Sequence, residues 1–112
     1  IMGMFLRRGP GWKRTITLDG NFGGTLCSVT VNGVRYEEET TLDLLVGTVI
    51  EIMVDGENER SRNSCYIRIN DVDVMKGAGT YHYIVDSNAT INMRSGSNSQ
   101  GYSYKACRIT TS

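Results

Sequence analysis

Few side chains in this 112-residue sequence are suited to covalent or proton-transfer chemistry: one histidine, His82, three cysteines, Cys27, Cys65 and Cys107, and twelve Asp or Glu. A Ser-His-Asp or Cys-His arrangement needs its histidine beside a nucleophile that a sharp turn holds up to substrate. His82 sits instead in the alternating run Thr80-Tyr81-His82-Tyr83-Ile84-Val85, with no nucleophile elbow and no Cys-x-x-Cys nearby. A structural zinc site wants two close-set pairs of ligands, and the three cysteines are scattered singly. They are read as small, partly buried thiols of a reducing compartment; one disulfide plus a free thiol is the alternative.

Oxygen ligands cluster at Asp55-Gly56-Glu57-Asn58-Glu59 and at Asn70-Asp71-Val72-Asp73. Calcium needs six to eight oxygens converging from a loop, and neither segment has EF-hand spacing. Turn formation accounts for both, with a calcium site shared between loops as the alternative. A glycosidase needs two carboxylates flanking a sugar in a cleft, and no pair among the twelve stands out. Glu37-Glu38-Glu39 reads as a solvated turn. A phosphate-cradling glycine loop must open a helix, and no helix is expected. The expectation is a protein that is not an enzyme and has no metal and no cofactor.

The aromatic residues are more suggestive. Tyr81/Tyr83 and Tyr102/Tyr104 are two i,i+2 pairs, so each pair shares one face of its strand. Core or cross-strand packing is the plain reading. The functional alternative is a stacking platform for a sugar or peptide beside the Ser/Asn/Gly-rich segment 95–101, expected to be a mobile loop. Residues 1–12 show no period and contain Gly9-Pro10-Gly11, so they read as an arm. Its apolar Met4, Phe5, Leu6 and Trp12 stand with Arg7 and Arg8, a combination that docks on its own domain or on a neighbouring subunit. In the second case the basic cluster would meet the acidic turn 37–39 of another copy.

Elements must position these groups, and composition limits their kind. Lys+Arg 12 against Asp+Glu 12 gives a formal charge of +0, which removes the general attraction to nucleic acid or an anionic membrane. Hydrophobic content of 39% and charged content of 21% describe a folded chain of one-domain length. The start lacks the apolar run of a secretory signal, and no stretch approaches the ~20 apolar residues of a membrane-spanning helix. Thirteen glycines against a single proline, with many Val, Ile, Thr and Tyr, favour strands and tight turns. Asn32-Gly33 between alternating runs predicts a type I′ hairpin, and Asn70-Asp71 predicts a second. The apolar run 48–54 suggests a central strand, and 55–64 a polar loop.

Nine or ten short strands without a sustained helical period predict an all-β fold, an antiparallel immunoglobulin-like β-sandwich spanning 13–112. Its expected core is Ile16, Leu18, Val29, Val31, Leu44, Ile50, Ile52, Ile67, Ile69, Tyr83, Ile91 and Ile109. The sequence also echoes itself. The Asn32-Gly33 hairpin, Leu42-Asp43-Leu44 and Thr48-Val49-Ile50 parallel Asn70-Asp71, Tyr81-His82-Tyr83 and Thr90-Ile91-Asn92, as if one unit were used twice.

Met4-Phe5-Leu6-Arg7-Arg8-Gly9 is similar to the start of small proteins encoded near tail genes in phages and prophages of Gram-positive bacteria. The series Val29-Thr30-Val31-Asn32-Gly33-Val34, Gly47-Thr48-Val49-Ile50, Ile67-Arg68-Ile69-Asn70-Asp71, Tyr81-His82-Tyr83-Ile84-Val85 and Ala89-Thr90-Ile91 resembles Ig-like modules of phage tail and virion proteins. The likeness covers about two-thirds of the chain and carries over no catalytic residue. It implies a virion-associated structural protein, made in the bacterial host cytoplasm, that assembles with copies of itself or with other virion proteins. A host-surface or glycan-binding module using Tyr81, Tyr83, Tyr102 and Tyr104 is the competing expectation.

Overall fold

A computed structural model of the chain describes residues 12–20, 26–96 and 104–112. Ten strands and one short helix form among them: β1 (Lys13–Gly20), β2 (Cys27–Val31), β3 (Val34–Tyr36), β4 (Thr40–Leu45), β5 (Val49–Val54), α1 (Glu59–Asn63), β6 (Tyr66–Ile69), β7 (Val72–Lys76), β8 (Gly79–Ile84), β9 (Ala89–Gly96) and β10 (Tyr104–Thr111). They build two antiparallel sheets. One has the order β4-β1-β10-β9-β6-β7, the other β3-β2-β5-β8. The fold is all-β, and β5 lies inside its sheet as its apolar run requires.

Alternation explains the layering. Ile16 and Leu18 on β1, Ile67 on β6, Ile91 and Met93 on β9 and Ile109 on β10 are buried together with Val29, Val31, Ile50, Ile52 and Val54 from the other sheet. Both sheets thus turn one face onto a single apolar core, the arrangement in which half-buried strands gain most from leaving water. Leu44, Ile69 and Tyr83 are a correction to the expected core: they lie on its margin, half-buried. Each belongs to a strand near or at a sheet edge, where the facing layer ends.

Turn chemistry sets the hairpins. Asn32 and Gly33 have φ of 50° and 82°, and Asn70 and Asp71 have 50° and 67°. Positive φ at both central positions is the type I′ geometry, whose twist matches the flanking strands. Two expectations fail. The 55–64 segment contains α1, whose Asn58 Oδ1 accepts from the Ser61 amide at 2.9 Å while Ser61 Oγ accepts from the Asn58 amide at 3.0 Å. Ser95 and Gly96 belong to β9 and are buried rather than part of a loop; residues 97–101 lie outside the described residues.

The internal echo has a topological counterpart. β2 pairs with its hairpin partner β3 and with β5, while β4 crosses to the other sheet. In the second half β6 pairs with β7 and with β9, while β8 crosses in the opposite direction. The crossing links of the two units meet: the Gly47 amide donates to the Val85 carbonyl and the Val85 amide to the Thr48 carbonyl, at 2.8 and 2.9 Å. β1 and β10 fit between the units, paired from Ile16↔Thr111 to Gly20↔Cys107. Thr15 and Ser112 exchange both backbone hydrogen bonds at the end of that ladder.

Candidate interaction surfaces

The groups singled out for chemistry are placed separately. His82 projects outward from β8, directly opposite Glu51 of β5. No group of three His, Cys, Asp or Glu placed to share a metal ion occurs among the described residues. Asp55 accepts from the Gly56 amide at 2.8 Å and pairs with Arg62, which ties the start of the segment to α1. Glu37 pairs with Arg35 at 2.8 Å, and Glu39 accepts from the Gly20 amide at 3.0 Å. Two of the three glutamates are therefore held by their own chain. The three cysteines are free and buried, and burial pushes the Cys65 thiol above its ordinary pKa.

The side chains of two of the four tyrosines are placed, and they stand on the inner row of their strand. Tyr81 and Tyr83 are half-buried on the inner row of β8 and pack against the core. The outer row of the same strand is Thr80, His82 and Ile84. Tyr102 lies outside the described residues, and Tyr104 is placed only as the first residue of β10. Of the arm, Met4, Phe5, Leu6, Arg7 and Arg8 lie outside the described residues. Trp12 is exposed, and its carbonyl accepts from the Val46 amide at 3.0 Å.

Other exposed apolar side chains stand at the same end of the sandwich. Six large ones are exposed among the described residues: Trp12, Val34, Leu45, Val49, Val72 and Ile84. Val34 and Val72 follow the two hairpin turns. The other four border the 46–48 turn, through Trp12 bonded to Val46, Leu45 preceding the turn, Val49 following it, and Ile84 directly opposite Val49. Arg14 closes this end by donating to the Asp86 carbonyl and to Asn88 Oδ1.

A second surface escaped the sequence reading. Register lines up Asp19, Arg108, Asn92, Arg68 and Asp73 across five strands of the six-stranded sheet. Beside this row the Arg68 guanidinium lies 4.0 Å from the centre of the Tyr66 ring, and that of Arg94 lies 5.0 Å from it. Asp73 accepts from Arg68 Nε at 2.6 Å. That bond holds the Asp73 carboxyl below its ordinary pKa and raises the Arg68 guanidinium further. A shallow depression of about 240 Å³ is lined in part by Ser64, Tyr66, Arg68, Asp73 and Lys76. The signal was thin, since Tyr66 and Arg68 look like ordinary alternation until Arg94 arrives from another strand.

No family model, curated protein or solved structure matches this chain. The described residues thus present two surfaces: an apolar end beside Trp12, and a polar sheet face carrying an arginine–tyrosine cluster.

Proposed function

We propose that this chain is a non-enzymatic structural protein of a phage or prophage virion, associated with its tail, tail tip or capsid, and that it acts through protein–protein assembly. The phage-module resemblance supplies the setting. The observation that carries assembly is the exposed apolar end of the sandwich, where Trp12 and Leu45 on one sheet and Val49 and Ile84 on the other flank the 46–48 turn. Exposed apolar side chains at one end of a domain are what contact surfaces present before they are covered. The immunoglobulin-like character of the sandwich belongs to this proposal: two antiparallel sheets over one core support it, and the strand order is this chain's own.

Light scattering on the full chain and on a chain lacking residues 1–12 tests the reading. A defined oligomer whose mass falls on deletion is the expected result. A single-chain mass for the full protein up to millimolar concentration would overturn it. A second reading, recognition of a host-surface glycan, is favoured by the Tyr66–Arg68–Arg94 cluster and its depression rather than by Tyr81 and Tyr83. Ring stacking and fixed polar groups are the usual means of holding a sugar. It predicts amide shifts on β6 and β9 during titration with acidic oligosaccharides, abolished by Tyr66→Ala.

A further inference from the structure

An open sheet edge presents unpaired N–H and C=O groups to any passing strand, so folded proteins guard their edges with short strands, charges, prolines or bulges. Among the described residues the two sheets end in four strands, β3, β8, β4 and β7. β3 is only three residues long. β7 carries Asp73 and Lys76, and its ladder with β6 shifts register between Ile67 and Arg68. β4 carries the exposed Asp43 at its middle. β8 has none of these guards. Its six residues, Gly79-Thr80-Tyr81-His82-Tyr83-Ile84, include no Asp, Glu, Lys, Arg or Pro and are mostly β-branched or aromatic. Its outward Ile84 is 60% exposed and belongs to the apolar end described above.

We propose that β8 is an assembly edge and that its partner is β8 of a second copy, paired antiparallel about a two-fold axis. The inference rests on the assembly reading and adds to it a partner and a geometry. Three arguments select the partner. A strand with no Asp, Glu, Lys or Arg meets itself without placing carboxylates, ammonium or guanidinium groups opposite one another. Isologous pairing uses both unguarded edges at once, so the assembly closes as a dimer rather than growing as a fibre. The resulting continuous sheet, β3-β2-β5-β8 joined to β8-β5-β2-β3 of the second copy, ends on both sides in the three-residue β3.

The pleat also restricts the register. Directly opposed residues of an antiparallel pair project to the same face, so an axis normal to the sheet must pass through a residue of β8 and not between two. The Val85 amide and carbonyl face the 46–48 turn, so by alternation Thr80, His82 and Ile84 turn theirs to the open edge, and an axis through His82 pairs all three, with His82 opposite its own copy. Tyr81 then stands opposite Tyr83 of the second copy, twice, on the inner face, and Thr80 opposite Ile84 on the outer face. The tyrosine pair read from sequence as a ligand platform thus becomes the inner seam between two copies.

The test is the mass of the full chain against concentration, compared with Thr80→Lys, Ile84→Lys and Thr41→Lys. All three positions are exposed, and circular dichroism checks that each variant folds. The full chain and Thr41→Lys, on the other sheet, are expected to reach twice the single-chain mass. The two β8 variants are expected to associate at least tenfold more weakly. Backbone amide exchange across 79–84 should slow as the unmodified chain associates, a readout that needs no variant. A dimer that survives both lysines, or whose β8 amides exchange equally fast at all concentrations, overturns the proposal. If deleting residues 1–12 dissociates the protein while the β8 variants do not, assembly stands and β8 pairing falls. A single-chain mass throughout sinks both.

Discussion

At the residue scale, Asp73 and Thr111 carry the sharpest expectations. The Arg68 hydrogen bond lowers the Asp73 carboxyl pKa in the folded chain, so its contribution to stability is present above the unfolded pKa and lost as pH falls through the lowered folded value. Arg68→Ala should raise the Asp73 carboxyl pKa toward the ordinary carboxylate range, measured as the midpoint of its side-chain carboxyl carbon shift by NMR. The stability change should be small, because both side chains remain solvent-accessible. Thr111 is the opposite case. Its side chain is buried between positions paired with Ile16 and Ala89, and its Oγ1 has no hydrogen-bond partner. Thr111→Val keeps the shape and removes the unsatisfied hydroxyl, and should raise unfolding free energy by about 1 kcal/mol in urea titrations. A loss of similar size would mean that the hydroxyl is bonded. Neither feature was legible in the sequence: alternation marks which side chains point inward, but not which polar atom is left over.

At the element scale, legibility followed the range of the signal. Both hairpins were readable, because Asn32-Gly33 and Asn70-Asp71 state their own backbone geometry within two residues. α1 was not, since five residues are too few for a 3.6-residue period. Its only local mark was Asn58 three residues before Ser61, a polar cap that resembles any loop. Asn58→Ala should cost about 1 kcal/mol, read as a lower denaturation midpoint with unchanged slope. β9 ran past its expected end for a tertiary reason. Gly96 carries no side chain where a Cβ would run into Ser61 and approach Gly56 to 3.1 Å, so strand and helix meet through their smallest residues. Gly96→Ala should displace α1 and cost about 1–3 kcal/mol, with the largest amide shifts in 56–63. From the sequence alone, Ser95-Gly96 looked like the start of a loop because its partners, Ser61 and Gly56, lie far back in the chain.

At the scale of the whole molecule, the two-sheet, all-β architecture was readable because alternating strands leave one face each to bury. Which strand neighbours which was not. That information lies in crossings such as β4 to β5 and β8 to β9, where the chain changes sheets through links that look like any other turn. Edge identity was hidden for the same reason, so the tyrosines of β8 could not be told from those of an interior strand. A core substitution should report on both layers together: Ile52→Ala, fully buried within the shared core, is expected to cost about 2–5 kcal/mol, with fluorescence and far-ultraviolet transitions remaining coincident. The meeting of Thr15 and Ser112 at the close of the β1–β10 ladder has a mechanical meaning. Attachments made at Trp12 and at Ser112 would leave from the same pole, so the domain would hang from both like a pendant. Tension between them would part the ladder one rung at a time, from Thr15 and Ser112 inward, instead of shearing all its rungs together. Because Ile16, Leu18 and Ile109 line the core on these two strands, such a module opens its core from the mounting inward.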